Sequence, residues 1–272
     1  MQIFTKNFRL PGKKTIGKAG KCMGHATGGF FLGLCLLIPR PSPAQHAIFL
    51  THGRIEFAKK ESLWAQVDED ADADWRDLEK KILPQFKTTY FDLVFDHSAT
   101  LYKPGRENPD NNKIWQTRPA EDNIVFNNLS NRTTVTQKNV YELTFLVKDS
   151  IRNIKWKLTS ETRNIAGFTC RRANGIIMDS IYVVAFYTDE IPLSGGPECF
   201  TGLPGMILGL ALPHEHVTWF ATSVYTDAVP ATELVPPEKG EKTTNARMLL
   251  KLQDLMKDWG KWALPYIRSV ML

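Results

Sequence analysis

The chain has 272 residues, of which 43% are hydrophobic, and it carries a formal net charge of +5. This apolar content is enough for a full hydrophobic core, so the composition excludes an intrinsically disordered protein. The charge does not predict nucleic-acid binding, because residues 1–44 contain seven Lys or Arg and no Asp or Glu, which leaves the rest of the chain slightly acidic.

Residues 1–44 have the three regions of a secretory signal peptide. A basic stretch precedes the apolar run at residues 30–38, and a proline-rich segment that includes Ala44 follows it. We predict translation from Met1 or Met23, cleavage after Ala44, and export to the periplasm or to an outer-membrane-associated location. The apolar run is far shorter than the roughly 20 residues that a membrane-spanning helix needs, so we predict no transmembrane anchor.

Export would place the protein in an oxidising compartment, where an even number of cysteines favours a disulfide. Cys22 and Cys35 fall within the signal peptide, so the mature chain keeps Cys170 and Cys199. A disulfide between these two residues is the simplest prediction. Two free thiols are the alternative, because spacing in sequence does not establish the geometry of a bridge.

Alternating hydrophobic and polar residues predict strands from residue 47 onward. Phe91, Leu93 and Phe95 recur at every second position, as one buried face of a strand requires. Further strands, with turn signals between them, are predicted at residues 47–60, 123–130, 132–139, 141–149, 154–174, 180–191, 206–212 and 216–225.

One segment among these strands is compatible with a helix: residues 68–83, which are acidic and end before Pro84. Closely spaced strands without helices between them favour an antiparallel meander. We therefore predict a mainly β (α+β) fold over residues 45–272, a single domain built on a curved antiparallel meander sheet or half-barrel.

The last part of the chain predicts an amphipathic helix at about residues 245–263. Its apolar residues fall at helical spacing, and they are Leu249, Leu252, Leu255, Met256, Trp259 and Trp262. We predict that this stripe packs on the sheet. The alternative is a helix that binds a partner protein.

A turn is predicted at Gly202-Leu203-Pro204-Gly205. Pro204 presets φ at the second position of a turn, and Gly205 would supply the positive φ that a type II turn requires next. The apolar run at residues 206–210 predicts a strand that is buried on both faces. We interpret the motif as a structural turn, with a ligand-binding loop as the alternative.

This motif is part of a longer pattern that resembles a known family. In family-like order the sequence has Trp156, Gly167, Cys170, Ala173, Tyr187, Ile191, Pro192, Gly196, Pro197 and the GLPG run. Together they resemble the GLPGLI family of small exported bacterial proteins, with Met206 in place of the leucine in the family's name. The resemblance runs from about Gly53 to the C-terminal helix. It implies an envelope protein of uncharacterised role, in a family sometimes encoded beside outer-membrane receptors.

His214 and His216, on either side of Glu215, are the candidate metal ligands. On a strand, residues two apart point to the same face, so both imidazoles would reach one zinc ion. A catalytic zinc ion needs a third ligand, and the other histidines of the mature chain are His46, His52 and His97. The alternative is a polar hairpin turn after Pro213.

Four aromatic residues on predicted strands are candidates for lining an apolar ligand cavity: Trp156, Tyr187, Trp219 and Phe220. A curved sheet with aromatic side chains facing a helix forms such cavities, and core packing is the alternative. Because the sequence offers no catalytic set, we predict a non-enzymatic envelope protein without a cofactor that binds an apolar small molecule or another envelope protein. The alternatives are a zinc-dependent hydrolase using His214 and His216, and a purely structural partner of an outer-membrane receptor.

Overall fold

The computed structural model describes residues 49–67, 72–114, 119–230 and 232–272. The predicted signal peptide, its cleavage point and both predicted translation starts lie outside the described residues, as do Cys22, Cys35 and His46. No helix within the described ranges is long and apolar enough to cross a membrane.

The described residues form twelve strands and three α-helices. The strands are β1 Gly53–Ser62, β2 Phe86–Phe95, β3 Ala99–Pro104, β4 Ile124–Asn128, β5 Thr133–Val140, β6 Leu143–Ser150, β7 Lys157–Ile165, β8 Phe168–Ile177, β9 Ile181–Thr188, β10 Met206–Leu212, β11 Val217–Tyr225 and β12 Glu241–Thr243. The helices are α1 Ala73–Ile82, α2 Asn245–Leu255 and α3 Ala263–Met271. Helix α1 confirms the helix predicted from the acidic segment, and the Asp72 side chain caps it by accepting from the Asp74 amide at 2.8 Å.

All twelve strands belong to one sheet, in the order β12-β6-β5-β4-β3-β2-β1-β11-β10-β9-β8-β7. Neighbouring strands are antiparallel, except that β12 runs parallel to β6. Two meanders, one from β1 to β6 and one from β7 to β11, therefore meet where β1 pairs with β11. The prediction of a mainly β fold with an antiparallel meander is confirmed, and the sheet is not closed.

A short connection forces this sheet to curve. Strand β6 is second in the strand order and β7 is last, yet only residues 151–156 connect them. A flat sheet would separate these two strands by about 48 Å at its usual strand spacing. The connection spans about 24 Å when fully extended. The two ends of the sheet must therefore approach each other, and the face inside the curve becomes enclosed.

The inner face carries the hydrophobic core. Phe91, Leu93 and Phe95 of β2 are all fully buried, which confirms the face predicted from their alternation. Across the strand pair, Phe57 of β1 lies opposite Phe91. The Phe91 ring also stacks on the Tyr102 ring of β3, with the ring centroids 4.7 Å apart. Cross-strand pairs of this kind stabilise the sheet and hold its curvature.

The chain bends at residues 203–205 of the GLPG motif, but the glycines have different roles from those predicted. Gly202 has the positive φ, at 97°, and Gly205 does not, so the predicted type II turn with positive φ at Gly205 is wrong. A Cβ on Gly205 would overlap the Thr188 carbonyl group of β9. Gly205 is therefore required by close backbone contact. Trp156 anchors the start of the turn by donating from Nε1 to the Thr201 carbonyl at 2.9 Å.

The predicted C-terminal helix packs on the sheet, but its extent is wrong. Helix α2 ends at Leu255, the chain turns at Gly260 with φ at 56°, and α3 follows. The buried stripe of α2 consists of Met248 and Leu252, and Met256 extends it. These residues form a second apolar cluster with α3 and with Val140, Phe145 and Val147 of β5 and β6. Of the predicted stripe, Leu255, Trp259 and Trp262 are exposed.

The predicted disulfide is also wrong, because Cys170 and Cys199 are free thiols. Cys170 lies on β8, and its thiol contacts the Phe168 carbonyl at 3.6 Å. Cys199 lies in the loop before β10, with its Sγ 3.9 Å from the Thr136 hydroxyl of β5. Cys170 is fully buried in the main hydrophobic cluster, whereas half-buried Cys199 packs against that cluster from outside, so the two thiols differ in burial.

This arrangement predicts different reactivity for the two thiols. Burial raises the pKa of Cys170 to about 12, with a further contribution from the charge of Glu190. Because only the thiolate reacts, we expect a maleimide to modify half-buried Cys199 alone in the folded protein, and both residues in denaturant without reductant. Intact-mass measurement counts the maleimide additions. The substitution Cys199→Ser should abolish the addition seen in the folded protein. An unreactive pair in denaturant would contradict the prediction.

Candidate functional site

Strand β5 points polar side chains into the molecule. Thr134, Thr136 and Lys138 are buried, while the alternating Val135 and Gln137 face outward. This orientation is the reverse of what a hydrophobic-inward rule predicts for this strand. The buried Lys138 donates from Nζ to the Val270 carbonyl of α3 at 2.6 Å. Burial lowers the pKa of Lys138, because a buried site disfavours the charged ammonium form.

Strand β1 continues this polar surface. Lys59 lies two residues after the buried Phe57, so its side chain also points inward, and it is only 8% exposed. Its Nζ lies 3.3 Å from the Glu61 carboxylate and 5.5 Å from the centroid of the Trp219 ring. Burial lowers the pKa of Lys59, but the charges of Glu61 and Glu198 outweigh it, and the pKa is raised overall. Lys59 is therefore charged.

Glu198 enters the same region from the loop between β9 and β10. Its backbone has φ at 52°, a left-handed conformation that is uncommon for a residue with a side chain. The carboxylate is 3% exposed and accepts from Asn123 Nδ2 at 3.1 Å. Burial raises the pKa of Glu198, although Lys59 and Lys138 act to lower it. This carboxylate is thus under-compensated for a buried negative charge.

Lys59, Asn123 and Glu198 line a small, partly open cavity, which we call the chamber. Its volume is about 60 Å³, and it is lined by Lys59, Glu61, Pro119, Ala120, Glu121, Asn123, Glu198, Glu215, Val217, Trp219, Ser269 and Leu272. Carboxylates therefore outnumber ammonium groups on its wall. The chamber is lined by residues from β1, the β3–β4 loop, the β9–β10 loop, β11 and α3.

Four buried polar atoms in this region have no ordinary hydrogen-bond partner among the described residues. They are Tyr102 Oη, Glu121 Oε1, Asn123 Oδ1 and Trp219 Nε1. Tyr102 Oη and Trp219 Nε1 interact with each other, although their geometry falls short of an ordinary hydrogen bond. The two remaining atoms are both acceptors, and both belong to residues that line the chamber.

A wider cavity, which we call the mouth, adjoins the chamber. It has a volume of about 280 Å³ and is lined by Ala65, Gln66, Pro119, His214, Glu215, His216, Trp262, Pro265, Tyr266 and Ser269. The two cavities share Pro119, Glu215 and Ser269. Aromatic rings and imidazoles line the mouth beside Gln66 and Glu215, and the chamber combines charged and amide groups with Val217, Trp219 and Leu272.

The candidate zinc ligands do not lie on a strand. His214 belongs to a short 3-10 helix, Pro213–Glu215, and His216 has φ at 52°. The assumption that the two imidazoles point to one face of a strand is therefore wrong, and the alternative, a polar hairpin turn between β10 and β11, is the observed structure. No group of three or more His, Cys, Asp and Glu residues that could hold a metal ion occurs in the described part of the chain.

Of the four predicted ligand-binding aromatic residues, only Trp219 lines the chamber. Trp156 holds the GLPG turn, Tyr187 is buried in β9, and Phe220 points away from Trp219 towards Arg163 on β7. The sequence analysis missed Lys59, Asn123, Lys138 and Glu198. For Lys59 a signal was available, because Ile55, Phe57 and Lys59 follow the strand period of two.

A further groove of about 680 Å³ lies beside the β8–β9 hairpin. Its walls include Arg152, Lys155 and Lys157, together with the exposed Ile176. This groove is open and has no unpartnered buried polar atom on its described walls. The chamber and the mouth are therefore the better candidate site.

The buried Glu198 predicts a pH dependence of stability. Its folded pKa is raised, so between its ordinary pKa and the raised value the folded state binds more protons than the unfolded state. The free energy of unfolding therefore falls as pH rises through this window. In Glu198→Gln this contribution is absent, so we expect the variant to gain stability relative to wild type as pH rises.

Urea unfolding of both proteins from pH 4 to pH 8 measures this difference. The exposed Glu107→Gln serves as the control for a Glu-to-Gln change at the surface. A constant difference for Glu198→Gln would show that Glu198 is not a raised-pKa group.

Comparison with known proteins gives one partial family match. A family model described as "Protein of unknown function (Porph_ging)" matches residues 176–209, from the end of β8 through β9 and the GLPG motif into β10. This match covers much less than half of the chain, and the resemblance to the GLPGLI family stays a prediction. A search of curated proteins found no match.

Two similar solved structures carry the titles "Structure of PNGF-II in P21 space group" and "Structure of PNGF-II in C2 space group". Both are 16% identical to this chain, with TM-scores of 0.46 and 0.47. Each match covers 76% of this chain and 33% of the other, so this chain spans about a third of their length. No conclusion about this chain follows from similarity at that level.

Proposed function

We propose that this chain is an exported, non-enzymatic envelope protein that binds a ligand between its curved sheet and its C-terminal helices. One observation carries the proposal: Glu121 and Asn123 line the chamber, and each has a buried oxygen, Oε1 and Oδ1, without a partner among the described residues. A buried polar atom without a partner costs about 1–3 kcal/mol. A molecule that supplies the matching donors would remove this cost, and that gain would favour binding.

The shape of the site suggests a ligand with two different ends. Binding sites commonly combine apolar and aromatic walls with a few convergent polar groups. Here both cavities combine the two kinds of group: aromatic rings line the mouth at Trp262 and Tyr266 and the chamber at Trp219. The buried charged side chains, Lys59 and Glu198, belong to the chamber. The ligand we propose is therefore amphipathic, with its polar end innermost, in place of the wholly apolar ligand expected from the sequence.

Export is part of the same proposal. It is supported by the basic and apolar regions of residues 1–44 and by the loss of the net positive charge once they are removed. The envelope location then defines where the ligand must be found. Cell fractionation tests this part separately, and retention in the cytoplasm would contradict it.

A second candidate function is a structural partner of another envelope protein, such as an outer-membrane receptor. It is supported by large apolar side chains that the C-terminal helices expose, namely Leu250 and Leu255 on α2 and Leu264 on α3. A contiguous exposed apolar patch favours protein contact, and these side chains are the candidates for one on the C-terminal helices. The zinc hydrolase receives no such support, since its two histidines occupy a hairpin turn.

Native mass spectrometry of the protein produced from the full chain tests the binding proposal. We expect an excess mass that is lost on denaturation. Ser269 lines both cavities and donates to the Tyr266 carbonyl at 2.8 Å. Ser269→Leu would fill the passage between them, so it should abolish the excess mass.

The matched control is Ser180→Leu, at an exposed turn where the hydroxyl also contacts a nearby carbonyl, that of Met178. The control should retain the excess mass. A bare polypeptide in the wild type would contradict ligand binding and favour the structural-partner function. An excess mass equal to zinc would favour the hydrolase.

A further inference from the structure

The geometry points to a primary ammonium group on an aliphatic chain as the polar end of the ligand, with the ammonium in the chamber and the chain in the mouth. This inference rests on the proposed function and names the chemical class that the same site accepts. A free amine and a lysine side chain of a peptide both supply this group, and the two sources share the recognised chemistry.

The unpartnered atoms define the hydrogen bonding. Because the Glu198 carboxylate accepts from Asn123 Nδ2, the amide oxygen of Asn123 is the atom left without a partner. Asn123 is 3% exposed, so solvent at the surface does not satisfy this oxygen. Lys87 occupies only one oxygen of Glu121, at 2.7 Å from Oε2. Both unpartnered atoms accept, and an ammonium group has three donors and no acceptor.

The charges agree with a cationic ligand. Glu61, Glu121, Glu198 and Glu215 line the chamber, whereas Lys59 is the one Lys or Arg among its described lining residues. The raised pKa of Glu198 indicates the same imbalance, since burial outweighs the attraction of nearby lysines. Lys59 already pairs with Glu61 at 3.3 Å, and Lys87 with Glu121 at 2.7 Å. A further cation would therefore chiefly compensate Glu198 and Glu215, while an anion would add to the repulsion.

The dimensions limit the size of each end. A water molecule occupies about 30 Å³ in the liquid. The chamber, at about 60 Å³, therefore has room for an ammonium group and an adjoining methylene, and it is too small for a sugar ring. The mouth, at about 280 Å³, has room for several methylenes beside the rings of Trp262 and Tyr266. Aliphatic chains pack well on such rings, and the rings also tolerate a cation.

Calorimetric titration with n-hexylammonium chloride tests the inference, with 1-hexanol as the neutral probe of similar shape. We expect saturable binding of hexylammonium at least tenfold tighter than that of hexanol. Nα-acetyl-lysine N-methylamide supplies the same ammonium group in peptide form. If it binds more tightly than hexylammonium, the source is a peptide lysine, and if it binds more weakly, the source is a free amine.

Glu121→Gln removes one negative charge from the chamber while keeping the side-chain shape, and it should weaken hexylammonium binding at least tenfold. The control is Glu142→Gln, at an exposed turn that lines neither cavity. Its affinity should equal that of the wild type. If Glu121→Gln does not fold, Glu215→Gln replaces it, because Glu215 lines both cavities, and it should also weaken binding.

Equal affinity for hexylammonium and hexanol, or no saturable binding of hexylammonium, would overturn the inference. A neutral or anionic excess mass that Ser269→Leu abolishes would leave the proposed function standing while the ammonium inference fails. A bare polypeptide mass together with no binding of any probe would mean that both have failed and that ordered water occupies the chamber.

Discussion

Replacing Gly205 with Ala is expected to lower the free energy of unfolding by about 3 kcal/mol or more, which is the upper range for overpacking of a well-packed interior. The added Cβ would overlap the Thr188 carbonyl oxygen and lie 2.8 Å from its carbon and 3.2 Å from the Asp189 Cα. These are backbone atoms, so no side-chain rotation relieves the overlap. Thr188 also pairs with Met206 in the ladder between β9 and β10, so any relief must disturb the sheet.

Urea unfolding of Gly205→Ala and of Gly167→Ala measures this effect against a matched control. Gly167 has φ at 89° and no atom within 4 Å of a built Cβ, so alanine there meets backbone strain without overlap. That strain costs about 1–2 kcal/mol. If Gly205→Ala loses no more stability than Gly167→Ala, the close contact with β9 is not what requires glycine in the motif.

Leu252→Ala is expected to lower the free energy of unfolding by about 2–5 kcal/mol, the usual range for a fully buried leucine. Leu252 is 0% exposed and belongs to the cluster that α2 forms with Phe145 and Val147 of β6 and with Val270 of α3. Loss of its side chain leaves a cavity between the helices and the sheet. The same packing positions α3 over the chamber, so the change should also weaken ligand binding.

The control for this prediction is Leu250→Ala on the same helix, where the side chain is 67% exposed. Substitutions at such surface positions usually change stability by no more than about 0.5 kcal/mol. Thermal and urea unfolding of both variants distinguish packing on the chain's own sheet from a helix reserved for a partner. Equal stability of the two variants would contradict packing on the chain's own sheet and would support a helix reserved for a partner.

Local patterns in the sequence predicted the elements of the fold well. The alternation of Phe91, Leu93 and Phe95 identified the buried face of β2, and the 3.6-residue spacing identified a helix that packs on the sheet at Leu252. Such patterns succeed because burial of one face imposes a period on the sequence whatever the rest of the molecule does. Close spacing of the strands likewise indicated a meander.

The same reasoning failed where a distant residue decides the local conformation. His214 and His216, which were predicted to lie on a strand, lie in a hairpin turn. Gly205 is required by its close contact with Thr188 and not by a positive φ. Cys170 and Cys199 are equally spaced in sequence whether or not a bridge forms, so spacing did not reveal that they lie on separate parts of the sheet.

The sequence by itself determined the strand-rich class, the face that β2 buries and the presence of an amphipathic C-terminal helix, since each depends on neighbours along the chain. Only the tertiary structure decided which strands pair, and therefore that Lys59, Asn123 and Glu198 meet around one chamber. These residues come from β1, from the β3–β4 loop and from the β9–β10 loop. Their meeting depends on the curvature of the whole sheet, because a buried charge is stable only where folding brings its partners to it.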